Sequence, residues 1–188
     1  MNRFDLGATF WAAVFIAATA LGGTTQRPED GAAKGELTLA GLRPGRDKLA
    51  RAIKLYGKRY TQTYQDAPDQ LLWADARRKL FLRLELANDQ TITSVIASSF
   101  GPERAPFASL PPAAQASGRG LRLGERLEKA LRIYGQPYFR GPSTEGGRDL
   151  ILVVYKFSAE EDQPQVLELS FDPKTERLVK MALSFPYY

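Results

Sequence analysis

Cysteine and histidine are both absent from the 188 residues of this chain. Without cysteine the protein can form no disulfide, has no thiolate nucleophile and cannot be lipidated on an N-terminal Cys. Without histidine it can build no Ser-His-Asp or Cys-His system, and without both it has no Cys/His zinc site. Acid–base chemistry is left to carboxylates, hydroxyls, Lys and Arg, and no metal or other cofactor is expected.

Long apolar runs are also scarce, and the only one stands at the N-terminus. Residues 6–23 are uncharged and rich in Ala, Phe, Val and Ile, and the small residues Ala18 and Ala20 suit cleavage after Ala20. We interpret residues 1–23 as a signal peptide; at about 18 residues the run could also remain as an anchor helix. The protein is therefore expected to be exported, either periplasmic or secreted, or anchored in the membrane by residues 6–23. Residues 24–36, which are polar and contain Gly and Pro, are predicted to be a flexible tether.

One nine-residue pattern occurs twice in the remaining sequence, as AIKLYGKRY (residues 52–60) and ALRIYGQPY (residues 130–138). Apolar residues recur at helical spacing in both copies: Leu49, Ala52, Ile53 and Tyr56 in the first, and Leu127, Ala130, Leu131 and Tyr134 in the second. Each copy predicts a short amphipathic helix with Tyr on its buried stripe. Gly57 and Gly135 follow the helices and are expected to have positive φ.

Strand patterns follow each predicted helix in the same order. Alternating apolar residues, a polar turn (ANDQ or DPKT) and a second apolar strand occur in residues 79–100 and 165–185, and residues 71–75 and 149–157 add one strand each. The predicted fold class is α+β, with two repeats (residues 37–100 and 119–188), each an amphipathic helix packed on a small antiparallel sheet of three to four strands. Residues 101–118 are predicted to be a Pro/Ala-rich linker. The sequence leaves open whether the repeats form one continuous sheet or two facing sheets.

This order of elements resembles the β-lactamase-inhibitor-protein-like (BLIP-like) fold, which also includes small outer-membrane-assembly lipoproteins. The most specific pieces are LRLGERLEKALRIYGQP (residues 121–137) and LELSFDPKTERL (residues 167–178). The tandem pairing is similar to the inhibitors, although their disulfides and the lipidated Cys of the lipoproteins have no counterpart here. The resemblance implies a cell-envelope or extracellular protein that holds a partner protein on its open sheet face.

Aromatic and charged side chains outside the predicted core are the candidate binding residues. Strand positions expected to face away from the helices hold Phe81, Arg83, Glu85, Glu168 and Lys180, and the loops after the helices hold Tyr60, Tyr64, Tyr138 and Phe139. Exposed aromatics with interspersed Arg are typical of interface hot spots. The alternative is that the aromatics close the core and that the charged positions are a solvated surface.

Positive charge is concentrated in the first repeat. Residues 36–100 contain 11 Lys and Arg against 7 Asp and Glu, whereas residues 119–188 contain 11 against 10. The predicted first helix carries Lys48, Arg51, Lys54, Lys58 and Arg59. Since the chain is predicted to be exported, nucleic acid is not an expected partner. An anionic envelope surface, lipid headgroups or an acidic protein fits better, unless the helix face is merely solvated.

The leading functional hypothesis is an exported, non-enzymatic module that binds a macromolecular partner through its open sheet face. One alternative is a membrane-anchored envelope assembly or scaffold factor that retains its N-terminal helix. A third is a small cell-wall hydrolase that uses paired carboxylates. The acidic trio Glu160, Glu161 and Asp162 does not favour that hydrolase, because it lies in what the pattern predicts to be an exposed turn.

Overall fold

The computed structural model describes residues 35–64, 67–101, 108–159 and 163–185. Within these ranges the helices are α1 (Leu49–Tyr56) and α2 (Leu127–Tyr134), with a 3₁₀ turn at Pro112–Gln115. The strands are β1 (Thr61–Tyr64), β2 (Ala67–Asp75), β3 (Leu80–Leu86), β4 (Ile92–Ser98), β5 (Phe139–Glu145), β6 (Arg148–Ala159), β7 (Gln163–Phe171) and β8 (Leu178–Ser184). The predicted signal peptide and residues 24–34 of the predicted tether lie outside the described residues.

The strands form one antiparallel sheet of eight strands in the order β1-β2-β3-β4-β8-β7-β6-β5. Its centre is the pair β4 and β8, which runs from Ser94 opposite Ser184 to Ser98 opposite Lys180. The predicted fold class is wrong: the described chain does not form two repeats with a small sheet each, but one large sheet with two short helices. The reason is that β4 and β8 would each present an unpaired edge, and pairing with each other satisfies both edges.

Both helices pack on the same face of this sheet, around one hydrophobic core. Ala52 and Tyr56 of α1 and Ala130 and Tyr134 of α2 are part of that core, together with apolar side chains of β2, β3, β4, β6, β7 and β8. Tyr56 and Tyr134 retain only 7% and 2% of their exposure, so the prediction that they occupy equivalent buried positions is confirmed. They share one core and one sheet.

The helices end as their glycines predict. Gly57 has φ 79° and ψ −178°, and Gly135 has φ 77° and ψ −150°, so positive φ is confirmed at both. Their ψ values are extended, a combination that is open to glycine almost alone. The side chains of Trp73 and Tyr155 then donate hydrogen bonds to the carbonyls of Gly57 and Gly135, at 2.9 and 3.3 Å, which fixes the point where the chain leaves each helix.

The segments that precede the two helices pair with each other. The amide of Ala40 donates to the carbonyl of Ala116, and the amide of Gly118 donates to that of Thr38, both at 2.9 Å. Residues 108–118 of the predicted linker are described and contribute to the core, where Ala108, Leu110 and Ala114 are buried. The helix side of the sheet therefore carries a continuous layer made of both helices and the segments leading into them.

Candidate functional site: the helix-free face of the sheet

Strand pairing defines which side chains share the sheet face opposite the helices, the helix-free face. Side chains directly opposite each other in paired strands lie on the same face. One row across the sheet contains Leu72, Arg83, Ile96, Ala182, Glu168, Val154 and Phe139. The adjacent rows contain Ala74, Phe81, Ser98, Lys180, Ser170, Leu152 and Gly141 on one side, and Gln70, Glu85, Ser94, Ser184, Val166 and Lys156 on the other.

The structure brings most of the sequence-predicted site residues onto this face. Those that lie there are Phe81, Arg83, Glu85, Glu168, Lys180 and Phe139. Tyr60 lies on the helix side, where its ring centroid is 4.9 Å from that of Trp73. Tyr138 is 67% exposed, with the Lys156 ammonium 3.9 Å from the centre of its ring. The side chain of Tyr64 lies outside the described part of the chain.

Side-chain size varies across the helix-free face. The central pair β4 and β8 contributes the small residues Ser94, Ser98, Ala182 and Ser184 beside Ile96 and Lys180, and β7 adds Ser170. On one side of them, β3 contributes the longer side chains of Phe81, Arg83 and Glu85, all of which are half-buried. We name this strip along β4 and β8 the groove, with β3 as one wall.

The far end of the β5–β6 hairpin supplies the opposite wall. Lys180 of β8 forms an ion pair of 2.7 Å with Glu145, at the end of β5. In a flat sheet their Cα atoms would be separated by three strand spacings of about 4.8 Å and four residues of about 3.4 Å, too far for contact. Beside them, the Arg148 guanidinium lies 5.0 Å from the centre of the Phe100 ring. The sheet therefore curls toward the helix-free face, and the hairpin tip reaches the central strands.

Arg83 is the unusual residue of this groove. Its cross-strand neighbours are the apolar Leu72 and Ile96, both buried. Its Nε atom is buried and has no hydrogen-bond partner among the described residues. Leaving a buried donor unsatisfied costs about 1–3 kcal/mol. Arg83 as a whole is half-buried, so the accessible part of its side chain, rather than Nε, is what a partner carboxylate would meet.

Phe81 has a structural contact in addition to its place in the groove. A Cβ atom on Gly101 would lie 2.5 Å from Cδ1 of Phe81, so the ring packs directly on the glycine backbone. Truncating Phe81 would therefore disturb the chain after β4 as well as any partner. Arg83, whose buried nitrogen makes no hydrogen bond within the described fold, is the better position for separating binding from stability.

A buried polar cluster on the helix side was not predicted from the sequence. Glu36 is 1% exposed, and its carboxylate accepts hydrogen bonds from the Tyr134 hydroxyl (2.7 Å) and from the amides of Thr38, Gly118 and Arg119. The sequence shows only a glutamate at the end of a polar stretch. Apart from Thr38, its partners lie more than eighty residues away in the sequence.

Buried tyrosines offer little acid–base chemistry at neutral pH. Burial raises the pKa of Tyr56 and of Tyr155 to about 12. Burial also raises the pKa of Tyr134, and the neighbouring Glu36 carboxylate reinforces the effect. All three phenols therefore remain protonated and act as hydrogen-bonding core residues. Within the described residues, no cluster of three or more Asp and Glu side chains could hold a metal ion. The acidic trio at positions 160–162 lies outside them.

No family model matches this sequence, and no curated protein matches it either. Its fold is similar to the crystal structure of YjgB, a DUF4309 family protein from Bacillus subtilis subsp. subtilis. The two chains are 16% identical, and the match has a TM-score of 0.50 and covers 82% of this chain and 90% of that chain. At this identity the likeness concerns the fold alone. The resemblance to the BLIP-like fold stays a prediction.

Proposed function

We propose that this protein is an exported, non-enzymatic binding module that holds a segment of another envelope or extracellular protein in the groove of its helix-free face. The observation that carries the proposal is Arg83, whose buried Nε has no partner among the described residues. Export rests on the signal-peptide pattern of residues 1–23. Retention of residues 6–23 as an anchor would make the same module membrane-bound; no helix of the described chain could span a bilayer.

The groove favours a protein partner that carries an acidic side chain. Arg83 would receive its carboxylate, because guanidinium groups pair with carboxylates in a directional, charge-assisted geometry. Lys180 is already neutralised by Glu145, so Arg83, in the β3 wall, is the cation available beside the groove. Arginine is among the residue types most frequent in interface hot spots.

The decisive experiment compares two arginine variants on opposite faces. The exported protein is used as bait in an envelope extract, and each captured protein is purified and its Kd measured against the wild type, Arg83→Gln and Arg132→Gln. Arg132 is an exposed residue of α2, on the helix side. We expect Arg83→Gln to weaken binding by 2 kcal/mol or more, about thirtyfold, and Arg132→Gln to leave it unchanged.

Thermal unfolding of the same variants separates binding from folding. Since the buried nitrogen of Arg83 makes no hydrogen bond in the described structure, Arg83→Gln should melt no lower than the wild type. A partner that binds Arg83→Gln as tightly as the wild type would contradict the groove as the binding site. Equal losses for Arg83→Gln and Arg132→Gln would point to unspecific charge attraction instead.

A further inference from the structure

The helix side of the molecule has a predominantly basic exposed surface. Between residues 37 and 60 every exposed charged side chain is basic, because Asp47 is half-buried. These basic residues are Arg46, Lys48, Arg51, Lys54, Lys58 and Arg59. Around α2 the exposed basic residues are Arg119, Arg122, Arg126 and Arg132, with Glu128 as the exposed acidic residue among them. We name these ten basic residues the basic helical surface.

Several of these cations are available for an external partner. Lys48 and Arg51 are paired with Asp89 and Asp47, at 3.6 and 3.2 Å. No acidic group lies within ion-pair distance of Lys54, Lys58 or Arg59 in the described structure. They lie together at the end of α1 and just beyond it.

Exposed apolar side chains occur within the same layer. Leu37 is 46% exposed and Leu55 is 42% exposed, and they are the large aliphatic side chains that the described structure leaves most accessible. Leu55 belongs to α1, between Lys54 and the two cations that follow the helix. Basic side chains around exposed leucines are typical of surfaces that lie at a membrane interface, where the leucines enter the headgroup region and the cations meet lipid phosphates.

We propose that the basic helical surface docks on an anionic phospholipid bilayer. This assignment rests on the charge complementarity between these basic residues and anionic lipid headgroups. It rests also on the position of the apolar run, residues 6–23, before the described chain. Residues 24–34, which separate residues 6–23 from the described chain, span at most about 40 Å when extended. Retention of residues 6–23 in a bilayer would therefore limit the distance between the described chain and the lipid headgroups to this length.

Single-stranded nucleic acid fits this surface less well than lipid does. Single-stranded nucleic acid is held by aromatic side chains on which bases stack. Tyr60, the aromatic residue nearest in sequence to Lys58 and Arg59, packs against Trp73 and the core. The large exposed aromatics of the described chain are Tyr138 and Phe139, which lie at the start of β5. The lipid assignment does not depend on the proposed groove partner, because the two surfaces lie on opposite faces of the sheet.

The test measures binding of the full chain to two kinds of vesicle. One kind is phosphatidylcholine alone, and the other is an equimolar mixture with phosphatidylglycerol. The readout is the ratio of the two partition coefficients, in which the apolar insertion of residues 6–23 cancels because both bilayers have the same interior. We expect the wild type to prefer anionic vesicles and to lose that preference as salt is added.

Charge-matched variants locate the binding surface. Since each cation near an anionic surface is worth about fivefold in binding, Lys54→Gln with Lys58→Gln should reduce the ratio about thirtyfold. The control, Lys79→Gln with Lys156→Gln, removes the same charge from exposed residues in the β2–β3 turn and on the helix-free face, and should change the ratio much less. Equal effects of both pairs, or no preference for anionic vesicles, would overturn the proposal. Tighter binding of duplex DNA with the same lysine dependence would assign the surface to nucleic acid instead.

Discussion

At the scale of single residues, the two helix tyrosines are equivalent in burial but differ in what they bind. The Tyr56 hydroxyl donates to the backbone carbonyl of Ala40. The Tyr134 hydroxyl donates to the carboxylate of Glu36 and accepts a second hydrogen bond of 2.8 Å from the Ser117 hydroxyl. Hydrogen bonds to charged groups contribute more than neutral ones, and a buried carboxylate that loses one is costly. Tyr134 therefore has the larger role in holding the segment before α1 against the start of α2.

The first prediction compares the removal of these hydroxyls. Tyr134→Phe should lower the free energy of unfolding by about 1.5–3 kcal/mol, and Tyr56→Phe by about 1 kcal/mol. Tyr60→Phe, at a residue that packs on the core but has no hydroxyl partner in the described structure, serves as the control and should stay within about 0.5 kcal/mol of wild type. Urea unfolding measures all three. Equal losses for Tyr134→Phe and Tyr56→Phe would mean that the Glu36 carboxylate adds nothing to stability.

The sequence could predict the tyrosines but not their partners. Tyr56 and Tyr134 lie at regular helical spacing from other apolar residues, and this periodicity is a local signal. The contact of Glu36 with Tyr134 depends on the pairing of residues 38–40 with 116–118, which only the folded chain brings together. The same limit applies to Arg83: alternation along β3 places it on the helix-free face, but the buried state of its nitrogen depends on neighbouring strands.

At the scale of elements, the turns before β4 and β8 have a common design. Asp89 accepts hydrogen bonds from the hydroxyl (2.8 Å) and amide (3.0 Å) of Thr91, and Asp172 accepts them from the amide and hydroxyl of Thr175, both at 2.8 Å. These bonds hold the pKa of each carboxyl below its usual value of 3.8. Carbonyls of the same turns accept hydrogen bonds from the first amide of each helix. The amide of Leu49 donates to the carbonyl of Gln90, and the amide of Leu127 donates to that of Glu176.

The second prediction concerns acid stability. A carboxyl with a lowered pKa in the folded state contributes stability that is complete above pH 3.8 and is lost as the pH falls through the lowered pKa. The double variant Asp89→Asn with Asp172→Asn should therefore melt below wild type at neutral pH, and the difference should shrink in acid. Asp149→Asn is the control, since its Thr144 hydrogen bond is 3.5 Å long. A difference that is the same at every pH would contradict the role of the charge.

Apolar alternation in the sequence predicts the inner strands but not the edge strand β5. β3 and β7 could be predicted because apolar residues alternate along them and one face is buried. β5 has the sequence FRGPSTE, in which no side chain is buried, and it forms a strand because β6 offers it hydrogen bonds along its whole length. Its Pro142 is tolerated because an edge strand need not donate on its free side. Such a strand carries no signal of its own.

At the scale of the whole molecule, the sheet joins two similar halves into one structure. β4 and β8 have consecutive buried residues, as strands in the middle of a sheet do. The sequence contains little of this information, because the helix-free side of both strands carries serine or lysine beside Ile96 and Ala182. It did not say which strand each would meet and left open whether the halves form one sheet or two; they form one large sheet. The pairing of β4 with β8 joins residues far apart in the chain, so local sequence patterns do not specify it.

The shared sheet and core predict that the two halves unfold together. Tyr56→Ala and Tyr134→Ala each remove a large buried side chain and should cost about 3–5 kcal/mol. Because β4 pairs with β8 and both helices contact the same core, either change should lower the midpoint of one common transition. Calorimetry tests this, since a single cooperative transition has equal calorimetric and van't Hoff enthalpies. Hydrogen exchange gives the residue-level control: Tyr56→Ala should speed exchange in β7 as well as in β3, because both strands open only when the central pair separates. Two transitions, each sensitive to one variant alone, would show that the halves are independent despite their common sheet.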